Sequence, residues 1–522
     1  MVSTEEDRVN LADLTATELL AKYQDRSLSP VEVIDAVLAR VEEFEPKIHA
    51  LYALDPAGAR AAAQESERRW RDGTAGALDG VPVTVKENIA TRGTPVPQGT
   101  AATELVPAAA DAPAAARLRD AGAVIFSKTT MPEYGMLSSG VSTFHQLTRN
   151  PWDLSRTAGG SSAGAAAAAA AGYGPIHVGT DIGGSIRLPA GWSGVIGLKP
   201  THGRIAVGNP YAGRAIGPLT RTPTDAALAL TVMTGYDPRD HTSLPTPPLP
   251  SAQSTSGPPL GSAPSGSAPP LGSAGLASAP PLGSAGLASA ARSASAGGSG
   301  SDWDGSLLDG SWADGSLDGL RVALLLDAGV GLPVDHEVTA AITAAATVLE
   351  SAGAIIDPIP PIITRDMLDG LDRFWRLRSA TDIAALPEER RAKVLPQIRE
   401  WVSTATDLTA SDVFHGYSQM SAMAAAVTHV FATHDAILSP IAPITAFPAE
   451  LAYPTDDPAK PFEHIAFTVP YNMSHHPATT ANVAWSSTGL PIGAQLAVPH
   501  HQDHTALALA NHLHTTGTWP AI

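Results

Sequence analysis

The sequence predicts an α/β protein, a β-sheet covered by helices, and three observations carry that reading. Short Val- and Ile-bearing runs alternate with helix-like segments between Val81 and Leu198. Helix-start signals recur, with Ser or Thr set just before a proline or an apolar stripe. The chain has 522 residues, 44% of them hydrophobic, which allows a large core in one big domain or a few smaller ones.

The elements follow in order. Leu11–Leu20 offers a threonine N-cap and an apolar stripe, and Ser29-Pro30 repeats the device with proline in the first helical position. Ala57–Trp70, rich in Ala, Glu and Arg, is a third helix. Val81–Val85, Ala123–Phe126, Ile176–Gly179 and Gly194–Leu198 read as strands, with helices at Pro113–Ala121 and Gly164–Ala171 between them. Val81, Val83 and Val85 alternate as in a half-buried strand.

At about residues 242–316 the composition turns to Ser, Gly, Ala and Pro. The unit Ala-Pro-Pro-Leu-Gly-Ser-Ala-Gly-Leu-Ala-Ser stands at Ala268–Ser278 and again at Ala279–Ser289. Two such copies bury no core, so the segment reads as a flexible low-complexity insertion in a single domain spanning residues 1–522. Order returns with a strand at Leu320–Leu326 and helices at His336–Ala352, Asp366–Ala385 and Glu388–Trp401. A short buried strand at Ala436–Pro440 and a helix at Thr505–His514 follow.

Composition excludes several functions. Lys and Arg number 33 against 51 Asp and Glu, a net charge of −18 without a basic patch, which argues against nucleic-acid and membrane partners. With no cysteine there is neither a disulfide nor a thiolate nucleophile. The polar start Met1–Arg8 lacks the apolar stretch of a secretory signal, and Ala165–Ala171 falls far short of the ~20 residues that span a bilayer. A cytoplasmic protein is expected.

Three strings carry the chemistry. Lys86 ends the Val81–Val85 strand, where desolvation would depress its pKa and leave an amine able to accept a proton. A surface lysine paired with Glu87 is the plain alternative. Gly159-Gly160-Ser161-Ser162-Ala163-Gly164 leads into the alanine run. It reads as a simple N-cap, as a phosphate cradle (though it lacks the lysine and spacing of a P-loop), or as a catalytic serine loop, where Gly-x-Ser-x-Gly would make Ser162 the nucleophile of an elbow. An elbow follows a strand, and Asp153–Thr157 does not read as one. Thr180–Arg187 is the better nucleophile site. Gly183 and Gly184 free the backbone before Ser185, so N–H groups of Ile182, Gly183, Gly184 and Ser185 can form an oxyanion nest. Asp181 and Arg187 are expected to brace that loop as an ion pair.

Taken together, Leu78–Thr201 resembles the amidase signature family of serine hydrolases. The strings that carry this are Gly80-Val81-Pro82 to Lys86, Lys128-Thr129, Asn150-Pro151-Trp152, Gly159–Ser162, Gly179–Pro189 and Gly197–Thr201. The similarity continues at Gly217-Pro218-Leu219 and, beyond the insertion, at Gly319-Leu320-Arg321 and Gly489–Gly493. The chain departs from the family at Ala163, often glycine there, and in the length of its insertion.

The resemblance implies a large mixed β-sheet with helices on both faces and a Ser–cis-Ser–Lys triad. By position, Ser185 would be acylated, Ser161 would relay the proton across a cis peptide, and Lys86 would be the base. It places the backbone at Gly135 beside the acyl site and Ser162 as support, with Thr180, Asp181 and Arg187 behind the loop. The activity implied is hydrolysis of linear carboxamides to acid and ammonia or amine, with a small amide substrate and no cofactor or metal. An amidotransferase A-type subunit feeding ammonia to a partner, or a non-catalytic member, are the alternatives; a homodimer is left open. His500-His501-Gln502-Asp503-His504 reads as a solvated loop rather than a metal site, and His475-His476 as a candidate for substrate specificity.

Overall fold

A computed structural model describes residues 10–245, 316–515 and 520. The insertion expected at 242–316 lies almost wholly outside the described residues. The segments on either side of it belong to one compact unit.

Eleven strands form one sheet in the order β1-β3-β2-β6-β8-β7-β12-β13-β11-β9-β10. They are β1 Leu51–Tyr52, β2 Pro82–Lys86, β3 Val124–Thr129, β6 Ile176–Asp181, β7 Ile196–Lys199, β8 Ala215–Thr220, β9 Arg321–Leu324, β10 Ile355–Pro358, β11 Ala436–Pro440, β12 Ala478–Trp485 and β13 Pro491–Ala497. β4 Arg149–Asn150 and β5 Asp153–Thr157 make a separate two-stranded ribbon. β2 runs parallel to β3 and β6, while β6, β8, β7, β12 and β13 pair antiparallel, so the sheet is mixed.

β2, β6, β8 and β13 are buried at every residue, which requires cover on both faces of the sheet. Val83, Val85, Ile176 and Val178 join one apolar cluster; Leu219 on β8 joins another with the helix Ala163–Ala170. The half-buried strand expected at Val81–Val85 is therefore corrected. β2 is third in the sheet order, and its polar positions are buried too, with Thr84 Oγ1 hydrogen-bonded to His177 Nδ1 at 2.8 Å.

Local signals placed several helices. Ser29 caps Pro30–Ile48 with a full capping box to Glu32, and Thr15 does the same for Ala16–Gln24. The helix Ala163–Ala170 is buried along its whole length, and only very small side chains fit there: a Cβ on Gly164 would lie 2.2 Å from the Ala50 carbonyl oxygen. Glu388–Trp401 is not one helix. It breaks into Glu388–Arg391 and Pro396–Ser403, because Pro396 lacks the N–H an interior turn needs and starts the second piece instead.

Among the described residues no helix is long and apolar enough to cross a membrane.

Candidate active site

The site lies at the carboxyl ends of the parallel neighbours β2 and β6, where open α/β sheets commonly bind ligands. Lys86 is the last residue of β2; Thr180 and Asp181 end β6 and feed the loop that carries Ser185. Pairing of Val85 with Val178 sets Lys86 level with the end of β6, so its side chain reaches across to Thr180.

Lys86 is fully buried among oxygens. Its Nζ lies 2.8 Å from Ser161 Oγ, 3.1 Å from Ser162 Oγ, 2.9 Å from Thr180 Oγ1 and 3.4 Å from the Thr180 carbonyl. Burial drives its pKa well below that of an ordinary lysine; Asp181 and Glu87 oppose the fall, and Arg214 adds to it. The pairing with Glu87 considered from sequence does not form. That carboxylate holds the Gly99 N–H at 3.0 Å and His145 Nε2.

A neutral amine has one lone pair and needs one hydroxyl to donate to it. Ser162 has its proton engaged, since its Oγ donates to the Thr180 carbonyl at 3.2 Å. Thr180 Oγ1 accepts from Asn88 Nδ2 at 3.1 Å, and Ser161 makes the shortest contact to the amine.

The peptide bond Gly160–Ser161 is cis. Ser162 stands at the N-cap of the alanine helix, yet its side chain caps nothing and is turned to Lys86 and Thr180. Asp153–Thr157 is a strand after all, against the sequence reading; its residues are mostly half-buried or exposed in the two-stranded ribbon, so it shows no apolar alternation. Even so, Ser162 is fully buried and hydrogen-bonded, which leaves no access for a substrate and removes the elbow reading.

Ser185 is partly exposed, whereas Ser161 is 3% exposed and Lys86 0%. The Ser162 N–H donates to the Ser185 carbonyl at 3.0 Å and ties the two serine loops together. Ser185 Oγ makes no hydrogen bond to another described residue, so the step from Ser161 to Ser185 is not closed by a hydrogen bond here. Gly135 lies beside Ser161: a Cβ there would be 3.3 Å from its Oγ.

The expected nest needs one correction. The Gly184 N–H is already given to Asp181 Oδ1 at 2.8 Å, so it does not point at a substrate. The N–H groups of Ile182, Gly183 and Ser185 remain without a partner among the described residues.

Behind the loop, Asp181 and Arg187 form the expected ion pair, with both side chains fully buried. Arg187 also donates to Gln495 and Asn472 side chains at 2.6 Å each and to the Thr468 carbonyl at 2.8 Å. Burial alone would raise the Asp181 pKa; the Arg187 charge and the hydrogen bonds from Arg187, Asn472 and the Ile186 N–H outweigh it and hold the carboxyl well below the usual range.

A cavity of about 100 Å³ opens over Ser185, lined by Gly135, Ile182, Gly183, Trp375, Phe462 and Ile465 among others, with Arg214 and Arg378. Sequence reading missed Asn88, Arg214, Trp375, Arg378 and Asn472. Only Asn88, two residues beyond Lys86, had a local cue.

The histidines lie elsewhere. His475 stacks on His202 with ring centroids 4.2 Å apart and His476 on His500 at 3.8 Å, and neither lines the Ser185 cavity, which corrects the specificity reading. His500 and His501 are exposed, but Asp503 beside them is buried and accepts the Thr201 N–H at 2.7 Å, so this segment is anchored. Among the described residues, no three His, Cys, Asp or Glu side chains form a metal-holding group.

With this geometry in place, comparison with known proteins defines the class. The family described as Amidase matches residues 32–262 and 310–507. The chain belongs to the amidase signature family. It is 30% identical to the acylamidase of Rhodococcus erythropolis, over 98% of this chain and 97% of the relative. It is 32% identical to the A-type subunit of the glutamyl-tRNA(Gln) amidotransferase from Solidesulfovibrio magneticus, over 93% of each. Among solved structures, a bacterial aryl acylamidase of this family superimposes with a TM-score of 0.78 at 24% identity, covering 96% of this chain and 95% of that one. At that identity the likeness concerns the fold.

Proposed function

We propose that this protein is an amidase that hydrolyses a carboxamide C–N bond through an acyl-enzyme on Ser185. Neutral Lys86 takes the Ser161 proton as Ser161 takes that of Ser185, and the Ser185 oxygen attacks the amide carbonyl. The N–H groups of Ile182, Gly183 and Ser185 receive the developing oxyanion, each such donor being worth about 3 kcal/mol in related sites. The relay then runs backwards to protonate the leaving amine, and water releases the acid.

The observation that carries the reading is Lys86 Nζ, buried and 2.8 Å from Ser161 Oγ, one loop away from a solvent-touched serine. The test is a panel of simple amides incubated with the purified chain alone, with Ser185→Ala as control. Turnover lost in the variant supports the mechanism; turnover retained in Ser185→Ala overturns it.

An amidotransferase A-type subunit is the second reading, favoured by the relatives of that type. What weighs against it is the cavity lining, which contains no Asp or Glu to receive the ammonium of free glutamine. Ammonia release from glutamine, absent with simple amides and dependent on added partner proteins, would favour it. A single-domain organisation and a cytoplasmic setting, both read from the sequence, belong to the same proposal.

A further inference from the structure

The cavity over Ser185 has an unbalanced charge. Two guanidinium groups, Arg214 and Arg378, line it, and no acidic side chain does. Arg214 is half-buried. Its Nη1 donates to the Asn209 carbonyl at 3.2 Å, its Nε is buried without a partner, and no carboxylate lines the cavity beside it. Burial and the neighbouring Arg378 both act against its charge. Arginine does not shed that charge by losing a proton, and no described side chain supplies its counter-ion.

Arg378 is held for the purpose. Its guanidinium lies 4.2 Å above the Tyr211 ring, and Asp382 one turn along the same helix takes one side of it at 3.3 Å. The Trp375 Nε1, in the same lining, is a further buried donor without an acceptor. A group that offers only oxygens and carries negative charge satisfies all three, and a guanidinium fork matches a carboxylate in shape as well as in sign.

We propose that Arg214 and Arg378 form a carboxylate-binding subsite, so that the substrates are small amides bearing a free carboxylate. The inference rests on the amide-hydrolase reading above and deepens it. The cavity of about 100 Å³ limits the ligand to a short chain between the amide carbonyl and the acid.

The test compares matched amides on the purified full-length chain. Succinamate carries the carboxylate on the acyl side and N-butyrylglycine carries it on the amine side; butyramide is the neutral control and β-alaninamide the cationic one. One of the two anionic amides is expected to exceed butyramide at least tenfold in kcat/KM, with β-alaninamide slowest. In Arg378→Met and Arg214→Met that ratio falls at least tenfold. Succinate binding, read as a thermal shift, is expected in the wild type and lost in Arg378→Met. Arg378 is partly exposed, so its variant serves if Arg214→Met does not fold. Equal turnover of butyramide and both anionic amides, with no succinate shift, overturns the subsite while leaving the reaction standing. Succinate binding that needs Arg378, in a protein that cleaves no amide, supports the subsite and sinks the reaction.

Discussion

Asp181 accepts the Gly184 N–H at 2.8 Å, so the carboxylate that pairs with Arg187 also fixes the turn before Ser185. The same oxygen atoms receive the Ile186 N–H at 3.1 Å and Asn472 Nδ2 at 2.8 Å. The turn is shaped from behind by a buried charge, and Ile182, Gly183 and Ser185, whose N–H groups have no partner among the described residues, line the cavity.

Asp181→Asn keeps the shape and removes the charge, leaving Arg187 buried and unpaired. The expected cost is about 3–5 kcal/mol of stability, read from urea denaturation, with activity falling as the turn loosens. A loss under about 1 kcal/mol would mean that the pair does not brace the loop.

Gly184 has φ +121°, and a Cβ added there would meet Thr468 Oγ1 at 2.5 Å. Gly184→Ala is therefore expected to cost about 1–3 kcal/mol and to lower kcat, although the residue gives no hydrogen bond to substrate. Thermal denaturation alongside kinetics checks both. Wild-type stability in the variant would show that this turn adopts another shape.

Lys86 sets the pH response. Its folded pKa lies well below 10.5, so on the proposed mechanism kcat/KM rises with pH through that lowered value and levels off long before pH 10. Stability follows the same sign: between the folded and unfolded pKa values the unfolded chain binds the extra proton, so stability increases with pH across that window. Lys86→Met is expected to abolish turnover and to lessen this rise in pH-dependent urea melts; burial lowers Lys199 to about 7 and Lys128 to about 8, so these keep a rise of their own. A rate flat from about pH 5 to about pH 9 would count against this base.

Labelling separates Ser185 from Ser162 as the attacking residue. A fluorophosphonate probe is expected to label the wild type and Ser162→Ala and to leave Ser185→Ala unmarked. Ser162→Ala removes one hydrogen bond that the neutral amine donates, worth about 0.5–1.5 kcal/mol, so its rate falls roughly two- to tenfold. Mass spectrometry of the labelled peptide decides the point; adduct on Ser162 would revive the elbow reading.

What the sequence made legible was local. Ser29-Pro30-x-Glu32 announces its helix because cap, proline and box lie within four residues, and Lys86 follows a valine run. The 21-residue helix Ala410–Val430 went unread even though Thr409 and Asp412 form its capping box; Gly416 and scattered Ser and Thr blur its apolar stripe. β12 and β13 were hidden for another reason. In Ala-Thr-Thr-Ala-Asn and Pro-Ile-Gly-Ala-Gln the strand preference of Thr and Ile is diluted by Ala, Asn, Pro and Gly, and neighbouring strands pair with both segments. The catalytic candidates were legible because each stands in its own glycine- or valine-marked string. Arg214 and Arg378 were not, since a loop and a distant helix bring them to one cavity only on folding.

Of the three serines gathered at Lys86 and the Ser185 loop, only Ser185 is open to solvent. On the proposed mechanism, the departing amine and the incoming water then share one doorway. The first product has to clear the threshold before hydrolysis can begin, and any small nucleophile waiting outside, hydroxylamine for instance, competes with water for the same acyl group.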